Sequence, residues 1–581
     1  MSEPVSFQWP YKNTARYLIF GVAFLGVPIV TVAQQQPVPL DTQQLQRQQQ
    51  REDTLRGTLD PNPDAPPPPA TPPPPPARIP TDEHPCERIH QVQLTGPLSA
   101  DFQWLLDSLS GPDQDDAPQD RCLGATGISV LQTRMQNALI HRGYITSRVL
   151  VGSQDLNATG LLVATFVPGL LRSIGFTPDS DQNAFAGNAL PAVPGQPLQL
   201  RDVEQGIENL KRPPSADADI QIVPVEQASG DVGQSDLVIH YRQPHPLRMN
   251  LSADDGGTKA TGKNQGSVTV FWDNPLALND LLSFTAGHNL ESSGAHGTRS
   301  AFLNYAVPWD YWLFGASASH NHYHQSVAGA SQTYVFSGAS DTAELRAQRV
   351  VWRTASARTS LGARVYRRSS ASFVDDAEVE VQHRVTSVWE INATHRQYLG
   401  DATVDAGVAI RRGTGAFGAL HAPEEHFGEG TSRLEMTVLD LAFVQPFKLL
   451  GEKWQLSSVW HGQWNQTPLT PQDRIAIGSR YSVRGFDGES SLLGDRGWFW
   501  RNDLAWSMAA GHEAYLGLDV GQVSGPSAAQ LAGTGLAGGV LGLRGGAAGW
   551  RYDFFVGRPI HKPAAFQTAR TTGGFNVSYA F

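Results

Sequence analysis

At 581 residues the chain exceeds one ordinary domain, so two or more folding units are expected, one of them large. Its 57 glycines, 40% hydrophobic content and only 17% charged residues argue against helical bundles and for many short strands separated by turns. The net charge is −11 and no run of Lys and Arg interleaves with aromatics, which argues against nucleic acid as a partner.

The first segment carries Lys12 and Arg16, an apolar run from Tyr17 to Val30, and Thr31-Val32-Ala33 before polar Gln34 to Gln36. These are the basic, apolar and small-residue zones of a secretory signal peptide, expected over residues 1–33 with cleavage after Ala33; the apolar run is short for a spanning anchor. No later apolar stretch is long enough to cross a bilayer as a helix, so the mature chain is either soluble or a membrane β-barrel. Asp41 to Arg56 is rich in Gln, Arg and Glu, with Asp41 or Thr42 as N-cap and Gly57 as stop. A helix so polar belongs in water or in a water-filled space, and the equal alternative is a disordered Gln-rich stretch. From Asp60 to Pro80, Pro and Ala dominate, and such a run stays extended as a stiff polyproline spacer.

The only two cysteines, Cys86 and Cys122, lie in the first third of the mature chain. In an exported protein such a pair reads as a disulfide, worth roughly 3 to 4 kcal/mol by chain entropy. Around them Ile89 to Leu94 alternates as a strand, while Phe102 to Leu109 and Ile128 to His141 show helical spacing. Gly143 is placed to end the second helix, and Ile145 to Val151 and Leu161 to Val167 read as strands. The pattern β-α-α-β-β then recurs more weakly: Leu170 to Phe176 as strand, Leu200 to Leu210 as helix, Ala218 to Val225 and Asp236 to Tyr241 as strands.

From about Pro246 to Phe581 no helix is needed. Alternation shows in Val268/Val270/Trp272, Ala301/Leu303/Tyr305/Val307, Trp312/Phe314/Ala316/Ala318 and Phe575/Val577/Tyr579/Phe581. Aromatics at strand ends, short turns such as Pro308-Trp309-Asp310 alternating with long ones such as Asp254 to Gly266, and a terminal Phe581 favour a membrane barrel over a soluble sandwich. At about 20 residues per strand and loop, this region holds about sixteen strands. Three motifs fail their chemistry. Gly257-x-x-x-x-Gly262-Lys263 has Asn264 where a phosphate loop needs Ser or Thr, and Pro423 breaks the helix that either Gly413-x-Gly415-x-x-Gly418 or the His421, Glu424, Glu425, His426 group would require. Neither a metal, a cofactor nor an enzymatic constellation is expected.

Cys86-x-x-Ile89, Arg121-Cys122-Leu123-Gly124 and Gln136-Asn137-Ala138-Leu139-Ile140-x-Arg142-Gly143-Tyr144-Ile145-Thr146-x-Arg148-Val149 closely resemble the first polypeptide-transport-associated (POTRA) domain of two-partner secretion transporters, the TpsB family. Ile477-Gly478-x-Arg480-Tyr481-Ser482-Val483-Arg484-Gly485-Phe486 resembles the lumen loop shared across the outer-membrane assembly and secretion superfamily. Gly517-Leu518-Asp519-Val520-Gly521 resembles the strand carrying that loop's acidic partner. The likeness is closest to the transporters of filamentous haemagglutinins and haemolysins. It implies a mainly β fold: a signal peptide (1–33), a plug helix (34–57) in the lumen, a Pro-rich linker (58–82), POTRA domains over 83–168 and 169–244, and a sixteen-stranded transmembrane β-barrel over 245–581.

On the residues alone Arg484 reads as a solvated turn arginine beside an unrelated Asp519; the resemblance implies a paired role for them, and that role has a physical basis. A guanidinium at Arg484 drawn into a lumen needs a carboxylate to offset its desolvation, and Asp519 can supply one in bidentate geometry. Gly485 then allows close backbone approach at the loop tip. The implied partner is a secreted exoprotein, held unfolded and added as an extended strand to a POTRA sheet edge or groove, with Leu200, Val203, Ile207 and Leu210 as candidate contacts. Outer-membrane lipid and the barrel-assembly machinery that inserts the protein are the other partners expected, with Phe581 as the C-terminal barrel signal. Export is expected to use no ATP, and the domains outside the barrel are expected in the periplasm. The rival readings are an assembly factor that inserts other barrels and a passive porin with an accessory domain.

Overall fold

The computed structural model describes residues 40–59, 78–225, 233–291, 294–509, 511–531 and 533–581. The expected signal peptide and most of the Pro-rich linker lie outside the described residues.

Sixteen antiparallel strands, from Leu247–Asp254 to Thr572–Ala580, form a closed barrel in which each pairs with its sequence neighbour. The last strand closes on the first, Asn576 to Ala580 facing Asp254 to Asn250, and Phe581 completes the closure by exchanging backbone hydrogen bonds with Met249. A two-residue strand, Ala377–Glu378, only extends one loop. The alternation seen in the sequence is a two-faced wall: Val268, Val270, Trp272, Leu303 and Phe314 are exposed on the outside, while Thr269, Asn304, Ser319 and Asn321 are buried toward the lumen. The Pro308-Trp309-Asp310 turn shifts by a residue or two: Pro308 and Trp309 still belong to the strand His296–Trp309, and the chain reverses at Asp310, at φ 53°. Elsewhere on this rim two residues suffice. Leu450 and Gly451, and again Ala548 and Gly549, all take positive φ, the conformation of turns whose twist matches the flanking strands.

Two small α+β domains precede the barrel. In the first, Gln91–Thr95 pairs parallel with Leu161–Val167, which pairs antiparallel with Arg148–Leu150. The expected strand from Ile89 splits at His90: Glu87–Ile89 instead pairs with Arg121–Leu123, beside the disulfide between Cys86 and Cys122. Phe102 to Leu109 is a 3-10 helix over Ser99–Ser110, and the strand expected from Ile145 to Val151 is cut to Arg148–Leu150 because Ser147 is turned back onto Tyr144, whereas Leu161–Val167 has its expected bounds. One strand face, the 3-10 helix and the helix Ala125–His141 enclose a core centred on Leu105, Leu131, Met135, Leu139 and Phe166. In the second domain Gln234–Arg242 is central, between parallel Leu170–Phe176 and antiparallel Asp217–Pro224. The helix Leu200–Leu210 packs on that sheet.

Numbering the helices in chain order, α1 is Leu40–Leu59, α2 is Ala125–His141, α3 is Ala186–Ala189 and α4 is Leu200–Leu210. Gly57 does not stop α1, which runs to Leu59. Intrinsic propensity is a weak signal, and here the helix has neighbours.

Candidate functional site

The loop between the strands Glu452–Asn465 and Arg496–Ala509 carries Val483, Arg484, Gly485 and Phe486, all buried. Two three-residue strands, Ile475–Ile477 and Leu492–Gly494, pair to form a small hairpin within it. Val483 and Phe486 join Ile475, Ile477, Leu492, Val523, Leu536 and Phe566 in an apolar cluster, with the Phe486 and Phe566 rings edge to face. This cluster folds the loop back onto the inside of the barrel wall.

Arg484 is thereby carried into the lumen, 5% exposed, and is met by Asp519 at 3%. Its Nε and Nη2 donate to the two carboxylate oxygens at 2.7 and 2.8 Å, and its backbone N–H donates to Oδ2 at 2.9 Å. Nη2 also reaches Asp503 on the neighbouring strand, which in turn faces Arg544 at 3.4 Å. A planar fork shared by two carboxylates is a contact that Lys cannot copy. Asp503 escaped the sequence reading. The available signal was the inward run Arg501, Asp503 alternating with outward Trp500, Leu504 and Trp506.

The wall opposite is stripped to glycine. A Cβ on Gly538 would lie 1.8 Å from the Arg484 carbonyl oxygen, and one on Gly517 2.7 Å from its Nη2. Gly485 itself has φ +95°, and a Cβ there would meet the Arg558 carbonyl at 2.6 Å. The motif glycine is needed twice over, for conformation and for contact.

α1 lies in the same lumen. Gln44 donates to Thr258 at 2.7 Å, Arg47 to the Gly257 carbonyl at 2.7 Å, and Gln46 to the carbonyls of Pro471 and Arg474 in the loop. Arg51 pairs with Asp254 at 3.0 Å and Arg56 with Glu344 at 3.2 Å. Glu344 opens a charge ladder across four strands: Arg364 bridges it to Glu390, which also binds Arg411 at 2.6 Å. The polarity that bars α1 from a dry core thus matches a wall lined with ions and amides.

The second small domain is fastened to the barrel's short-turn rim. Glu208 on α4 receives Arg353 and Arg358 at 2.7 and 2.6 Å; burial pushes its carboxyl up, but these guanidinium groups hold it below the usual carboxylate range. Tyr311 donates to Asp202, and Asn209 to the Asp310 carbonyl at 2.8 Å. On α3, Asn188 donates to the carbonyls of Leu278 and Pro308. The apolar face of α4 points the other way. Val203 and Leu210 are buried in the domain core, Ile207 packs against it and Leu200 is half-buried, so these side chains hold the fold and leave little surface for a passenger.

Sixteen strands, a locked lumen loop and two periplasmic β-α-α-β-β-type domains, the second fastened to the short-turn rim, define an outer-membrane barrel of the protein-transport class. The sequence profile described as "Haemolysin secretion/activation protein ShlB/FhaC/HecB" matches residues 233–545, and two POTRA profiles match residues 114–169, of ShlB type, and 171–224. The chain belongs to this family of two-partner secretion transporters. It is 35% identical to outer membrane transporter CdiB-2 of Burkholderia pseudomallei strain 1026b, over 97% of this chain and 100% of that one. It is 26% identical to hemolysin transporter protein ShlB of Serratia marcescens, over 70% of this chain and 71% of the relative. The solved structure of CdiB from Acinetobacter baumannii superposes with a TM-score of 0.83 at 29% identity, covering 93% of this chain and 99% of that one.

Proposed function

We propose that this protein exports one haemagglutinin- or haemolysin-like exoprotein across the outer membrane, taking it unfolded from the periplasm through its POTRA domains and threading it through the barrel without ATP. The observation carrying the reading is the lumen itself: a loop anchored by Arg484 to Asp519 and Asp503, beside a helix held to the wall by side-chain contacts. Contacts of this kind exchange with a polar chain more readily than a packed apolar core would. For passenger capture, the free edges are Arg172 to Phe176, beyond the bridge of Leu170 to Pro197, and Asp217–Pro224 in the second domain, with Phe176 and Val223 exposed on them. An extended strand adds to such an edge by main-chain hydrogen bonds, without help from the core face of α4.

The test is a secretion assay in cells carrying this protein and an exoprotein encoded beside it. Wild type should release the exoprotein to the medium. Arg484→Ala, and deletion of residues 83–168, should reach the outer membrane and fail to release it. Equal release without the transporter would sink the reading, and loss of unrelated barrels instead would point to an assembly factor.

A further inference from the structure

The outer wall of a barrel in lipid should be apolar across the membrane, yet one sector turns basic at a particular height. On the strand Trp312–Ala328 the outward positions run Trp312, Phe314, Ala316, Ala318 and then His320, His322, His324. Strand register sets Arg299 beside His322 and His288 beside Arg299, so His288, Arg299 and His322 form a row across three strands, with His324 one step above. Arg299 and His288 are exposed, and His322 and His324 are half-buried. Among the described residues of these strands, the carboxylate facing this sector is Asp341, a step below, where it accepts from His320 at 2.8 Å.

Height fixes what the row meets. Trp309 and Trp312 face each other at the periplasmic rim, both exposed, as an interfacial girdle would be. Ten residues separate Trp312 from His322. At about 3.3 Å per residue and about 40° of tilt this is about 25 Å along the membrane normal, the height of a barrel's apolar band. The row therefore stands at the headgroup level of the outer leaflet. Beneath it the wall is shallow along a diagonal: Ala286 and Ala301 share the next row with His320 and Asp341, and Ala318 and Ala343 share the row below that with Phe284 and Leu303.

We propose that this sector seats a phosphorylated outer-leaflet lipid, its phosphate on Arg299, His288, His322 and His324 and its acyl chains in the alanine trough. A guanidinium gives a phosphate two directed donors, and imidazole N–H groups on either side add more. A solvated cation at this height would need no trough below it, and an apolar girdle would need no cation.

The test uses the full-length protein in detergent, titrated with diphosphorylated lipid A or with the same lipid after dephosphorylation, and bound lipid is counted by native mass spectrometry. Wild type should favour the phosphorylated form at least tenfold. R299Q/H322Q should lose that preference while binding the dephosphorylated lipid as wild type does. Equal binding of the two lipids to wild type overturns the proposal, and so does an undiminished preference in the double variant. Should that variant not fold, the two-lipid comparison on wild type decides alone.

Discussion

Arg484 and Asp519 lie 35 residues apart, and their contact is the most heavily bonded link between the loop and the wall. Removing the guanidinium leaves Asp519 buried, with the Arg484 backbone N–H and Arg501, 3.9 Å away, as its remaining partners. Breaking a buried ion pair from one side costs about 3 to 5 kcal/mol. Because the strand ladders do not depend on this contact, the cost should appear as release of the loop. Arg484→Ala should therefore leave the barrel folded but make residues 466–495 sensitive to added protease, and Arg484→Lys should fall between. Equal resistance in all three proteins would mean that the apolar cluster around Phe486 holds the loop unaided.

Asp116 in the first POTRA domain gives a pH prediction of its own. Burial raises its pKa, but the Ile79 N–H and the Arg134 and Arg121 guanidinium groups outweigh it and hold the carboxyl down at about 2. A carboxylate depressed on folding adds stability above its unfolded value of about 3.9, and that contribution is lost as pH falls from there toward 2. Amide protection across residues 78–167, taken relative to the intrinsic exchange rate at each pH, should fall in that window for wild type. Asp116→Asn should exchange faster at neutral pH and change less on acidification.

Among the elements, α4 was legible to the residue, because Val203, Ile207 and Leu210 recur at helical spacing and Pro213-Pro214 follow. What it does was not legible. The apolar positions that mark a helix are those its own core consumes, whereas its polar face docks on Arg353 and Arg358, about 150 residues away and invisible to any local pattern. The same limit explains Asp503: nearness to Arg484 is a property of barrel closure, and only the family likeness singled out Asp519. α1 outran its Gly57 stop for the complementary reason, since lumen contacts at Arg56 sustain its last turns. If α4 is the fastening, Glu208→Ala removes the carboxylate that Arg353 and Arg358 share at the rim. A spin-label distance between the second POTRA domain and the turn at Thr354 to Ser356 should then broaden, with both parts still folded. An unchanged distance would assign the docking to Asn188 and Asn209.

At the scale of the whole molecule, the question is what keeps a barrel this wide from leaking. α1 fills part of the lumen with a cylinder of about 10 to 12 Å, and its hold is a set of side-chain contacts to the wall and the loop. Individually these are weak: the Arg51 side chain is 30% exposed, so its pair with Asp254 contributes at most about 1 kcal/mol. Arg56 is better buried and faces Glu344 at 3% exposure, where loss of the cation also unbalances the ladder through Arg364 and Glu390. A helix held by several modest contacts leaves when a few are cut, because occupancy shifts about tenfold for each 1.4 kcal/mol lost. Arg51→Ala/Arg56→Ala should therefore raise the time spent in the large-conductance state at least about tenfold in planar bilayers, with Arg484 intact. A conductance trace indistinguishable from wild type would move the gate from α1 to the loop, whose Arg484 anchor is the stronger of the two.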